Sequence, residues 1–60
     1  MTFSEQLKSE RQRLGLSQAE LARVIGVSFE AISKWERELV TPAEITQEGA
    51  MARLRKMKKP

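Results

Sequence analysis

Gly26 stands nine residues after Ser17 and two before Ser28 in a chain of 60 residues, and this punctuation limits the middle of the chain to two short helices. Ser17-x-x-Glu20 fits a capping box: the serine hydroxyl takes a free backbone N–H in the first turn, and the glutamate returns to the serine's own N–H. Gly26 is free to take positive φ and so to stop that helix. Ser28 then opens the next one. Two helices of about two turns, joined by three or four residues, cross steeply only if a small residue lies where they approach. Apolar residues must also pin both helices to a shared core. Ala22 is the small residue, and Leu21, Ile25, Val27, Ile32 and Trp35 are the pins.

Similar signals place the other helices. Thr2-x-x-Glu5 is a second capping box, and Gly15 ends the segment it opens. Phe3, Leu7 and Leu14 line one face of that helix, and Arg11 falls on the same face, an odd place for a charge. Ile32, Trp35 and Leu39 are expected to point inward from the third helix. Thr41-Pro42-Ala43-Glu44 offers an N-cap, a proline at the first helical position and an early acid. A fourth helix should follow, with Ala43, Ala50, Leu54 and Met57 as its inner stripe and Ile45 and Met51 to one side. Gly49 weakens its middle by roughly 1 kcal/mol relative to alanine. No segment has the alternation of a strand. The expected fold is all-α, a compact four-helix domain with helices at about 3–14, 18–25, 29–38 and 42–57.

Composition narrows the function. With no cysteine and no histidine, disulfides, thiolate metal sites and the usual general base are all excluded, so no catalytic, metal or cofactor-binding residue is assigned. No apolar run reaches the length of a membrane span, and the N-terminus lacks an apolar signal segment, so a cytoplasmic protein is expected. The net charge of +3 resides in the last twenty residues, where Arg53, Arg55, Lys56, Lys58 and Lys59 stand against Glu44 and Glu48. Such a cluster suits a polyanion and equally suits a solvated helix end. Residues 1–60 are taken as one domain, with 58–60 as a basic tail and helix 42–57 as a possible dimerisation element.

Three blocks now stand in order: Leu14-Gly15-Leu16-Ser17-Gln18-Ala19-Glu20-Leu21-Ala22, Ile25-Gly26-Val27-Ser28 and Ile32-Ser33-Lys34-Trp35-Glu36-Arg37. They resemble the helix-turn-helix of the Cro and phage-repressor type, the Xre family, over about residues 3–42. The resemblance implies that the helix from 28 to 37 enters the major groove of double-stranded DNA while the preceding helix lies across the backbone. Phe29, Glu30, Ser33 and Lys34 are then the candidates for base contacts, and Ser17, Gln18, Ser28 and Arg37 for phosphate contacts. Lys34 suits guanine O6 and N7, Glu30 suits cytosine N4, and Phe29 suits a thymine methyl. The family also pairs an arginine of its first helix with a glutamate ending the recognition helix. Arg11 and Glu36 occupy those positions, which implies a structural ion pair.

Plainer roles compete at several positions. Trp35 shares the phase of Ile32, which favours the core over base stacking. Phe29 is out of that phase, so it either contacts the groove or packs over the turn. Glu30 sits where helix dipoles favour acids and four residues before Lys34, an arrangement that stabilises any exposed helix. Ser17, Ser28 and Thr41 are caps first.

One departure concerns Glu38, which stands where the family places a helix-ending glycine. Helix 3 therefore either runs on into Leu39-Val40 or ends with a non-glycine residue in a strained conformation. Many relatives also carry a fifth helix, whereas here one helix follows Pro42. Leu39, Val40, Ile45, Met51 and Met57 do not all fit inside so small a core, and a homodimer is expected with Leu39, Val40, Ile45 and Met51 at its seam. A dimeric repressor of its own small operon, reading a palindromic operator, is the function these features favour. The alternative is a protein-interaction module or antitoxin whose fourth helix binds a partner protein.

Overall fold

A computed structural model describes residues 2–57. Four helices follow in order: α1 Phe3–Leu14, α2 Gln18–Ile25, α3 Phe29–Glu36 and α4 Glu44–Lys56. No strand occurs among the described residues, so the domain is all-α. The basic tail assigned to 58–60 lies outside the described residues.

Both capping boxes form. The Thr2 and Ser17 hydroxyls accept from the N–H groups of Glu5 and Glu20, whose carboxylates accept from the N–H groups of Thr2 and Ser17 at 3.0 and 2.9 Å. Ser28 caps α3 without a reciprocal carboxylate, because its third helical residue is Ala31. At the other ends, Gly15 and Gly26 take left-handed conformations with φ of 69° and 87°. The residue after each then donates back across the last turn, Leu16 to the Arg11 carbonyl and Val27 to the Ala22 carbonyl, both at 3.0 Å. These bonds satisfy carbonyls that a helix end would otherwise leave bare.

Helix α3 ends in the same way, but on Glu38. Its φ is 61°, Glu38 donates to the Trp35 carbonyl at 3.2 Å, and Leu39 donates to the Lys34 carbonyl at 2.9 Å. This corrects two expectations. Helix 3 stops at Glu36 instead of running to 38, and Leu39 leaves the helical phase that would have turned it inward; it is 63 % exposed.

The start of α4 is also later than the Thr41-Pro42 signal suggests. Ala43 is the N-cap and makes no side-chain cap bond, while the Pro42 carbonyl is taken at 2.8 Å by the Gln47 side chain. Pro42 and Ala43 therefore stay outside the helix, and Ala43 is exposed.

The core consists of Leu7 and Leu14 from α1, Leu21, Ala22 and Ile25 from α2, Ile32 and Trp35 from α3, and Ala50, Met51 and Leu54 from α4. Phe3 packs edge-on against Trp35, with centroids 5.9 Å apart. Met51 was expected beside the core and at a dimer seam, but it is only 6 % exposed and packs within it. With α4 starting at Glu44, its inner stripe runs Ala50, Met51, Leu54 and the half-buried Met57. Arg13 joins α4 to α1 from outside: its guanidinium donates to the carbonyls of Leu54 and Met57 at the end of α4, at 3.3 and 3.5 Å. Cations are favoured at that end of a helix.

Candidate nucleic-acid interface

Helix α3 has two faces of different chemistry. Ile32, Trp35 and Glu36 are buried, at three- and four-residue spacing. The opposite side presents exposed Glu30, Lys34 and Arg37, with Ser33 half-buried; Phe29, in the first turn and seven residues before Glu36, stands at the edge of the buried face and is 53 % exposed. The four candidate base-contacting residues thus lie on or beside one outward strip of a single short helix. Arg37, one residue past that helix, is exposed, and its Nε donates to the Ser33 carbonyl at 3.3 Å.

Three of the four candidate phosphate contacts lie at helix starts, Ser17 and Gln18 at α2 and Ser28 at α3, whereas Arg37 follows the end of α3. Ser17 and Ser28 are exposed, and each hydroxyl accepts a cap bond at 3.1 Å, from Glu20 and Ala31 respectively. A hydroxyl that accepts in this way still has its own proton to donate to an anion. The positive end of each helix dipole lies at the same place. Arg53 of α4 adds a cation nearby, with a guanidinium nitrogen 3.8 Å from where a Cβ on Gly26 would stand, beside the turn between α2 and α3. The carboxyl of Glu20 is held below its ordinary pKa by the backbone N–H of Ser17 and then by the serine hydroxyl. Glu5 is lowered in the same way by Thr2.

Behind this surface, one cluster ties three helices together. Arg11 Nε donates to Glu36 Oε2 at 2.8 Å, and Arg11 Nη2 donates to Glu36 Oε1 at 3.0 Å. The remaining Arg11 nitrogen donates to the Leu16 carbonyl at 3.2 Å. Glu36 is 3 % exposed and Arg11 21 %. A carboxylate at the end of a helix opposes the helix dipole, and burial removes its water as well. The bidentate guanidinium offsets both effects. Gln18 joins the cluster: its Nε2 donates to Glu36 Oε1 at 3.1 Å. Ser4 is buried, and its hydroxyl donates to the Glu36 backbone carbonyl at 2.9 Å.

Two of these residues had no place in the sequence analysis in the roles they hold. Ser4 is polar, yet it stands three residues before Leu7 and seven before Arg11, on the inner face of α1. Its phase was therefore the available signal. Gln18 bonding to Glu36 had no local signal, because the two residues are eighteen apart in the chain.

The model of a helix-turn-helix family matches residues 7–48, a span that holds all of α2 and α3 and this cluster except Ser4. The chain belongs to the Xre, Cro and cI type of helix-turn-helix family. No curated protein and no solved structure gives a significant match. Family membership makes this helix-turn-helix chain a DNA-binding domain of the transcription-regulator kind. Among the described residues, no helix of the domain is long and apolar enough to cross a membrane.

Proposed function

We propose that this helix-turn-helix domain acts as a homodimeric repressor that reads a palindromic operator with α3 in the major groove. The observation that carries this reading is the outward strip of α3, where Phe29, Glu30, Ser33 and Lys34 come together on a helix whose back is locked into the core. Lys34 would donate to guanine, Glu30 would accept from cytosine N4, and Phe29 would pack on a thymine methyl. Ser17, Ser28 and Arg37 flank the strip as phosphate donors and set the register of the helix on the duplex.

A second copy is supported by Leu39, Val40 and Ile45, which are 63, 48 and 79 % exposed. Large apolar side chains gathered on one short stretch are commonly covered by a partner. A two-fold pair of these domains would present its recognition helices about 34 Å apart, one turn of DNA. Met51 takes no part in this seam, since it lies in the core. The competing reading, a protein-binding fourth helix as in an antitoxin, has less support. Of the described residues on α4, Ile45 is the one large apolar side chain that is exposed, which leaves that helix without an apolar stripe for a partner.

Selection of bound sites from a random pool of duplex DNA tests the reading. A palindromic consensus bound by a dimer, with affinity falling steeply as salt rises, is the expected result. A protein that binds no duplex at low salt overturns it. Sedimentation that shows a monomer at high concentration and on DNA removes the homodimer.

A further inference from the structure

The three helices that open on a capping hydroxyl place their first acid differently. In α1 and α2 the glutamate stands third after the cap residue, and Glu5 and Glu20 turn back to accept from the N–H groups of Thr2 and Ser17. In α3 that place is held by Ala31, and the acid, Glu30, comes one residue earlier. One residue is about 100° of helix, so Glu30 is turned away from its cap and stays exposed.

The Glu30 carboxylate has no hydrogen bond and no ion pair among the described residues. Lys34 is four residues further on, where helical neighbours often pair, yet no salt bridge joins the two. Both are exposed, and both border one open groove together with Ser28 and Val40. The first turn of α3 therefore carries a carboxylate that neither the cap nor the lysine engages.

Beside DNA such a group selects through what it refuses. A carboxylate only accepts hydrogen bonds. In the major groove guanine and thymine present acceptor atoms, and adenine sets its N6 amino group beside the acceptor N7. Cytosine presents a donor, N4, without an acceptor of its own. A carboxylate that faces guanine, thymine or the phosphates is repelled.

We propose that Glu30 determines specificity by exclusion: it weakens binding to DNA in general and spares the sites that set a cytosine against it in each half-site. This rests on the DNA-binding reading above and adds the sign of the effect. Lys34 favours any duplex, and guanine most, whereas Glu30 disfavours every duplex that lacks its cytosine. An acid in the first turn also favours the helix itself, and the test separates the two roles.

Wild type is compared with Glu30→Gln, which keeps the shape, removes the charge and brings a carboxamide suited to adenine N6 and N7. Affinity is measured on the selected operator and on a random duplex of equal length, and sites are selected anew for the variant. Random-duplex binding is expected to rise about threefold or more. Preference for the operator should fall on the order of tenfold, and the cytosine of each half-site should give way to adenine. Unchanged binding to the random duplex places the carboxylate away from DNA and overturns the proposal. An unchanged consensus overturns it too, since Glu30 then reads no base. A variant that melts earlier yet binds both duplexes like wild type leaves Glu30 a helix-start acid only, and again the proposal fails. Wild type that binds neither duplex defeats the DNA-binding reading itself, and the Glu30 proposal with it.

Discussion

The two ends of the helix-turn-helix unit and the segment that follows it are built to different standards. At the end of α3, the Glu36 carboxylate receives two bonds from Arg11 and one from Gln18, while its backbone carbonyl takes the Ser4 hydroxyl. Every buried polar side-chain atom among the described residues has a partner. Only a few residues further on, Glu38 sits in a left-handed conformation that favours glycine, Leu39 and Val40 face outward, and Ala43 starts α4 without a cap bond from its side chain. The first region holds one geometry against deformation, as base recognition requires. The second carries local choices that an isolated domain does not need, and under the dimer proposal a second copy would cover them.

Breaking the tight region should have the largest effect. Arg11→Met leaves Glu36 buried without its cation, and a loss of about 3–5 kcal/mol is expected in urea or thermal unfolding. Adding Glu36→Leu should recover much of that loss, since it removes the stranded charge; strictly additive losses would show that the pair is not coupled. Next in size is Lys34→Ala, a change at an exposed position. Operator affinity should drop by about 1–3 kcal/mol with stability unchanged, and a new selection should show relaxed preference at one base of each half-site.

The loose region should respond in the opposite direction. Glu38→Gly removes the side chain from a φ of 61°, and a gain of about 1 kcal/mol in stability is expected. A loss would mean that the Glu38 side chain contributes a contact worth more than the strain. The smallest effect concerns the capping boxes. Glu5 and Glu20 have lowered pKa values in the folded chain, so their contribution is present above the ordinary carboxylate range and is lost as the pH falls through the lowered values. Helicity should decline modestly in mild acid, and Glu20→Gln should flatten that decline without changing stability at low pH.

Much of the architecture was legible in the sequence, because its signals are local. A serine or threonine three residues before a glutamate, or a glycine after the last apolar residue, acts within one helical turn, and α1 and α2 have the expected bounds. Expectations failed where two local signals competed. Thr41 and Pro42 made a plausible helix start, yet Gln47 claimed the Pro42 carbonyl and the helix began at Glu44. The run from Ile32 to Leu39 kept a helical period, but a left-handed residue at 38 interrupted it, and no periodicity can report a backbone reversal on a glutamate. Met51 was assigned outward from a stripe anchored on Ala43, a residue that turned out to lie before the helix.

The sequence by itself determined the class of this protein. The spacing of Ser17, Ala22, Gly26 and Ser28, with the apolar residues around them, allows little other than two short crossed helices, and those residues lie within the span of the family match. What Gln18 does with its carboxamide was decided only by tertiary structure. Its partner is eighteen residues away, on another helix, and is within reach only once α2 and α3 have packed together. Backbone punctuation acts over one turn of chain and can be seen in a string of letters. A hydrogen bond between the far ends of two helices depends on the angle between them, which the core sets.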